Sequence, residues 1–488
     1  MTHSEVGWVG VGRVLRVLAC GGLLTACEIG SEARPLSAPV PAAVATPAVA
    51  SPRPPVPVAP VVAPRRVSPE PSERTRSTRA LAVKLGAPGA KVDDPCVASV
   101  AQGCARTALA PFFESLDALS SGTAKKPTVI EAFGNSLIAG DRIVDILRDD
   151  LGAGFGAAGR GVLLVDRMAP YGGRGRASHS ASGWTPRTLG ELRAPPLPFG
   201  ITGVYHVATK AKARSRFKLE GEAHGTLWWL DVPEGGALSV VSGDTVLART
   251  TPEGTGASRS TRFDLPSGAT TVDVVAEGKG AVVQGVVLQH ERPGIVLDML
   301  GVPSADASLY ARLEEGALRS QLTEREPKLL VFFLGGNESK RLEWKRTDLT
   351  RLRDDLGALL RRARVAAPTS ACLVVGPMDA VRDSKDSGKA FTQRPFLEAV
   401  VEAEREVSLA EGCAFFNLYE AMGGKGALTR FHQSGFMHDD LVHPRGRGLD
   451  VLGHLVTDAL LRAWVETPPA QGPVAQVAPQ AERVEAVP

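Results

Sequence analysis

From about residue 128 to residue 464, short continuous apolar runs alternate with stretches whose apolar positions recur at helical spacing. "TVIEAFG" (Thr128–Gly134) predicts a strand, with a helix over Ile138–Leu151. "GIVLDMLG" (Gly294–Gly301) predicts a second strand, followed by a helix over Asp306–Leu322. "KLLVFFLGG" (Lys328–Gly336) predicts a third. Its helix carries Leu349, Leu352, Leu356, Leu359 and Leu360 on one face. "CLVVGP", opening at Cys372, predicts a fourth, with a helix from Pro395 that turns Phe396, Leu397, Val400 and Val401 inward. "CAFFNLYEAM", opening at Cys413, predicts the last strand, and a helix over Leu449–Trp464 closes the domain. Continuous apolar strands separated by amphipathic helices predict a parallel sheet covered on both faces.

Gly200–Arg292 has a different rhythm. Runs such as "SRFKLEG", "GTLWWLDV", "TTVDVVAEG" and "AVVQGVVLQH" alternate apolar and polar residues, with turn residues between them. That pattern predicts a β-sandwich inserted between the first two strands of the α/β domain. Trp228 and Trp229 are adjacent, so a strand sends them to opposite faces. One is expected to pack in the sandwich and one to face out; a core role is the favoured reading, and sugar stacking on the outer ring is the alternative.

The ends of the chain differ from its middle. Arg13 and Arg16 precede an apolar run, "VLACGGLLTAC", too short to cross a bilayer, which takes about 20 residues. The run ends in Leu24-Thr25-Ala26-Cys27, which resembles a bacterial lipobox. The resemblance implies a signal peptide over 1–26, cleavage before Cys27 and diacylation of its thiol; an ordinary secretory signal is the other reading. Two or three acyl chains would hold the protein at a bacterial membrane, in the periplasm or on the cell surface. Ser31–Thr75 holds 12 of the 36 prolines and no aromatic residue. It reads as a disordered linker, assigned to 27–92, and residues 466–488 read as a disordered tail. The folded part then divides into 93–199, the sandwich at 200–292, and 293–465. The 488 residues carry a net charge of +3, which gives no reason to invoke nucleic acid. The chain is expected to act as a monomer.

Export implies an oxidising compartment. With Cys20 lost in the signal and Cys27 lipidated, four of six cysteines remain. Cys96 and Cys104 are close together in what reads as a helical segment before the domain. Cys372 and Cys413 each open an apolar strand-like run. The expected pairs are 96–104 and 372–413, one of three possible connectivities. No pair has zinc-ligand spacing, and neither a metal nor an organic cofactor is expected.

Function in open α/β sheets gathers at the carboxyl ends of strands. Those ends read Gly134-Asn135-Ser136, then Gly301-Val302-Pro303-Ser304, then Gly335-Gly336-Asn337-Glu338; after the last strand comes "HDDLVHPRGRG". A serine hydroxyl needs an adjacent base, and His443 can supply it. Asp440, three residues earlier, can hold the other ring N–H. The backbone N–H groups at Ser136 and Ser304 and the side chain of Asn337 can donate to a developing oxyanion. No Gly-x-Ser-x-Gly elbow occurs, which argues against the α/β-hydrolase fold.

These four blocks, in this order, resemble the SGNH (GDSL-type) hydrolases over about Thr128–Trp464. The resemblance implies a flavodoxin-like three-layer α/β fold with a parallel sheet, a Ser136–His443–Asp440 triad, and an oxyanion hole of Ser136, Ser304 and Asn337. "GRGVLL", "VVGPMD", "GCAFFNLYEAMGG" and the inserted β domain resemble, more narrowly, bacterial envelope acetylesterases. Those include peptidoglycan O-acetylesterases with a carbohydrate-module-like insertion. The expected function is an envelope serine esterase that removes acetyl or other short acyl groups from a glycan such as peptidoglycan. Acyl transfer to a polysaccharide, or glycan binding without catalysis, are the alternatives. Two positions depart from the family pattern: Asn135 replaces an aspartate, and Ser304 stands at a glycine position.

Several residues have plainer readings. Ser136 could simply cap the helix that follows it. His179 and His438 compete with His443, and Asp439 stands beside Asp440. Glu338 and Arg445 read as structural or surface residues. The glycine-rich stretch Gly152–Gly161 matches neither a dinucleotide nor a phosphate loop and reads as a loop at a helix end.

Overall fold

The computed structural model describes residues 66–101, 103–139, 142–168, 179–191, 196–382 and 391–468. The expected signal peptide, Cys27 and the tail from residue 469 onward lie outside the described residues.

Six strands form the central sheet, numbered here in chain order: β1 (Val92–Asp93), β2 (Thr128–Gly134), β3 (Ile295–Gly301), β4 (Leu329–Phe333), β5 (Ala371–Val375) and β6 (Ala414–Phe416). Their spatial order is β1-β6-β5-β4-β2-β3. All neighbours run parallel except β1, which pairs antiparallel with β6. The continuous apolar runs have the burial expected of strands covered on both sides. Ile130, Ala132, Leu329 and Val331 face helices 110–120, 142–155 and 447–466. Phe133, Leu330 and Phe332 face helices 315–325 and 349–366. The last strand is shorter than expected: after Phe416, Asn417 caps a helical turn over Leu418–Ala421, so "NLYEAM" leaves the sheet.

The inserted region is a sandwich of two antiparallel sheets, and it is larger than 200–292. Strands 159–163, 179–182 and 184–188 also belong to it, paired with strands 282–289, 214–218 and 204–208. Glycines in 159–163, serines in 179–182 and a proline in 184–188 dilute the alternation that marks the others, which is why the sequence boundary fell too late. The stretch Gly152–Gly161 is correspondingly not one loop: it holds the end of helix 142–155 and the start of strand 159–163.

Trp228 and Trp229 do point to opposite sides, yet both are buried. Trp229 joins the sandwich core. Trp228 packs in the cluster shared with helix 315–325, and its Nε1 donates to Glu324 at 3.3 Å. The side expected to be open is covered by the α/β domain, so neither indole is a sugar platform.

Two further expectations change. Cys96 and Cys104 lie on an exposed β-hairpin (96–100 and 103–107), not a helix, with their bond closing the hairpin. The second disulfide joins Cys372 on β5 to Cys413 just before β6. The linker assigned to 27–92 also ends early. Arg66 forms a two-pronged contact with Asp117 and donates to the Trp464 carbonyl. Ser72 caps a helix over Glu73–Lys84, and Arg79 pairs with Asp458. Arg66 and Arg79 are thus matched by acids on the domain, which proline content alone could not show.

Candidate active site

β2 ends at Gly134, and the chain turns at once into a short helix, Ser136–Ala139. The turn is too tight for a side chain at 134: a Cβ there would lie 2.5 Å from Ile138 Cγ1 and 2.9 Å from Phe333 Cβ. Asn135, not Ser136, caps the helix. Its Oδ1 accepts the Leu137 N–H at 3.0 Å, and its carbonyl accepts those of Ile138 and Ala139. The Ser136 hydroxyl is thus left for another partner, and it lies 2.9 Å from His443 Nε2.

Tyr310 holds the turn from below. Its buried hydroxyl accepts the Gly134 N–H at 3.0 Å and directs its proton at the carbonyls of Gly134 and Leu300, at 2.6 and 2.8 Å. Burial pushes this phenol far above its ordinary range, so it stays protonated.

His443 arrives on the loop after the last strand. Its two ends are joined where His438 N–H donates to the His443 carbonyl at 2.8 Å, with Leu441 in the left-handed region between them. Asp440 Oδ1 accepts the N–H groups of Val442 and His443 at 2.9 and 3.0 Å. Its Oδ2 lies 2.7 Å from His443 Nδ1. A carboxylate only accepts, so Nδ1 carries the proton and Nε2 offers its lone pair to Ser136. Burial works to raise the Asp440 carboxyl, but the His443 ring and the two backbone N–H groups outweigh it and hold the acid below the usual carboxylate range. The side chains of His443 and Asp440 are 41% and 47% exposed, so the site opens directly to solvent.

The other two strand ends stand beside this chain. Ser304 follows β3 with φ +62°, the left-handed conformation that glycine adopts freely. A serine thus stands here in a conformation that suits glycine, the residue the family pattern leads one to expect at this position. Asn337 Nδ2 donates one hydrogen to the Ala305 carbonyl at 2.7 Å and retains another. Among the described residues the N–H groups of Ser136 and Ser304 have no acceptor. Three donors therefore remain for an oxyanion at these strand ends.

The competing residues fall elsewhere. His438 and Asp439 are exposed on the same loop, and no hydrogen bond among the described residues links either side chain to Ser136. His179 belongs to the sandwich strand 179–182. Arg445 is a surface residue whose Nε donates to the Gly435 carbonyl. Glu338 is buried, and its two oxygens accept the N–H groups of Gly335 and Ala307. Tyr310 was missed by sequence reasoning; a lone tyrosine on a short helix after the second strand carries no signal there. No group of three or more His, Cys, Asp or Glu side chains among the described residues is placed to hold a metal ion.

Residues 268–451 match the GDSL-like lipase/acylhydrolase family. The chain carries a GDSL-like acylhydrolase domain. The match includes Ser304, Asn337, Asp440 and His443, while Ser136 lies before it, separated by most of the inserted sandwich. Among solved structures, a peptidoglycan O-acetylesterase is 18% identical with a TM-score of 0.62, covering 73% of this chain and 97% of its own. That overlap shows that the acylhydrolase domain has the SGNH fold. A Bacillus subtilis protein is 10% identical with a TM-score of 0.30, covering 58% and 90%. A carbohydrate-binding module of the Cellvibrio mixtus lichenase 5A, in complex with cellotriose, is 13% identical with a TM-score of 0.18, covering 23% and 90%. No curated protein matches the sequence.

Proposed function

We propose that this acylhydrolase is a serine esterase that removes acetyl or other short acyl groups from an envelope glycan such as peptidoglycan. The observation that carries the reading is the unbroken chain Asp440–His443–Ser136, with hydrogen-bond distances of 2.7 and 2.9 Å. In the proposed reaction Ser136 Oγ attacks the ester carbonyl as His443 Nε2 takes its proton. The carbonyl oxygen becomes an oxyanion, received by the N–H groups of Ser136 and Ser304 and by the Asn337 amide. Collapse expels the sugar hydroxyl, protonated by His443, and leaves an acyl-serine. Water, deprotonated by His443, then releases the carboxylate and restores Ser136. Asp440 stabilises the imidazolium in both halves.

Two observations support a polymeric glycan. The catalytic side chains lie open at the surface, where an acyl group can be reached without engulfing its chain. The solved structure with the 0.62 overlap is of a peptidoglycan O-acetylesterase. Lipidation at Cys27 would keep the enzyme beside such a polymer.

The test is acetate release from O-acetylated peptidoglycan, acetylated xylan and an aryl acetate by wild type and Ser136→Ala. Wild type should release acetate from peptidoglycan, and the variant should lose at least about 10⁴-fold in kcat. A fluorophosphonate should label wild type and not the variant. Undiminished activity in Ser136→Ala would rule out the proposed nucleophile. Acetate moved to an added sugar in place of water would make the enzyme a transferase.

A further inference from the structure

The two loops that supply the outer oxyanion donors are bound together from behind by one side chain. Glu338 follows Asn337 and is only 6% exposed. Its Oε2 accepts the Gly335 N–H at 2.9 Å, and its Oε1 accepts the Ala307 N–H at 3.1 Å. The first contact is a helix cap. Gly335 precedes helix Gly336–Glu343 and has φ +86°, a conformation open to glycine. The second contact adds nothing to that helix. Ala307 lies 31 residues earlier, three positions after Ser304. Asn337, by donating to the Ala305 carbonyl, ties the same two segments again.

The surroundings make this an expensive place for an acid. Burial, and then the nearby Asp306, push the Glu338 carboxyl up to about 8. Glu404 is buried beside it and raised well above its ordinary range, by burial and then by Glu338. One Glu404 oxygen, without a hydrogen-bond partner among the described residues, would be 2.7 Å from a Cβ on Gly335. Asp306 pairs with Arg341, while Arg394 is directed at the Gly336 carbonyl and Ser339. A glutamine at 338 would relieve the crowding of acids but could accept only through its single oxygen, with its NH₂ turned against the other N–H.

We propose that Glu338 is a positioning residue whose carboxyl clamps the Ser304–Ala307 loop to the Gly335–Asn337 turn, so that the Ser304 N–H and the Asn337 amide converge on one oxygen. The role rests on the esterase reading of the site. It predicts opposite effects of one substitution on catalysis and on stability.

The experiment is Glu338→Gln in the full chain, assayed on 4-nitrophenyl acetate, by thermal melting and by backbone hydrogen exchange. Donors displaced by a fraction of an ångström should lower kcat about tenfold or more, with KM within about twofold of wild type. The melting temperature should hold or rise. Exchange should quicken in both 302–307 and 335–339. Wild-type kcat in the folded variant, or unchanged exchange at 302–307, would overturn the clamp. Should wild type fail to cleave the ester and fail to take a fluorophosphonate, the esterase reading falls, and exchange at 302–307 alone decides the clamp.

Discussion

Asn135 and Ser304 are the two departures from the family pattern, and both keep a backbone function that the change of residue leaves intact. Asn135 caps the helix at Ser136 through Oδ1, an atom that aspartate also possesses. Asn135→Asp is therefore expected to keep kcat on an aryl acetate within about threefold. Asn135→Ala leaves the Leu137 N–H without its acceptor and should cost about 1 kcal/mol in denaturant unfolding, with a fall in kcat. A large loss in Asn135→Asp would mean that the amide nitrogen is needed as well. Ser304 retains φ +62°, which for a residue with a Cβ costs about 1–2 kcal/mol. Ser304→Gly removes that strain and keeps the N–H, while glycine's freedom in the unfolded chain takes back about 0.5–1 kcal/mol. The expected net gain is about 0.5–1 kcal/mol by urea unfolding, with activity kept. A loss of stability would show that the serine side chain holds the loop in a way its exposure does not suggest.

At the scale of elements, the strands of the central sheet were readable because each is a continuous apolar run, and the strand ends then pointed to Ser136, Asn337 and His443 directly. The early sandwich strands were hidden because "GRGVL" and "HSAS" have little apolar content of their own and are held by partners far along the chain. The role of Tyr310 was hidden for a related reason. Its importance comes from three hydrogen bonds to the ends of β2 and β3, which only the folded register brings together. Gly134 and Gly301 face one another in that register, and the tyrosine hydroxyl closes the gap below the turn into Ser136. Tyr310→Phe keeps the ring against Phe133 and removes only the hydroxyl, leaving the buried Gly134 N–H without a partner. The expected cost is about 1–3 kcal/mol of stability. A turn freed at its base should also lose about tenfold in kcat on an aryl acetate with little change in KM. A variant less stable but fully active per folded molecule would confine Tyr310 to a packing role.

At the scale of the whole molecule, the sandwich and the α/β domain are joined by a buried charge cluster as well as by packing. Arg325 makes a two-pronged contact with Asp298 on β3, at 2.7 and 3.1 Å, and lies 3.7 Å from Glu131 on β2. Asp298 Oδ1 also accepts the Val162 N–H, on a strand of the sandwich. One cation thus faces two acids, and the imbalance falls on Glu131: burial, then Asp298, raise its carboxyl well above the ordinary range against the pull of Arg325. The sign of its linkage follows. Below the ordinary glutamate value both states are protonated and Glu131 costs nothing. As pH rises the unfolded chain ionises first, while the folded protein holds the proton or bears a buried charge, so stability falls. Glu131→Gln cannot ionise and escapes this loss. It should be more stable than wild type at pH 8, with the gap closing toward pH 4, when unfolding is followed by denaturant at both values. Arg325→Met reverses the logic, leaving both acids without their cation, and should cost about 3–5 kcal/mol at neutral pH. Because the cluster grips both domains, sandwich and α/β fluorescence and circular dichroism signals should be lost in one transition in wild type. A pH-independent difference for Glu131→Gln would mean that Glu131 stays ionised in the fold and that Arg325 balances both acids, which would also remove the reason for the joint transition to shift with pH.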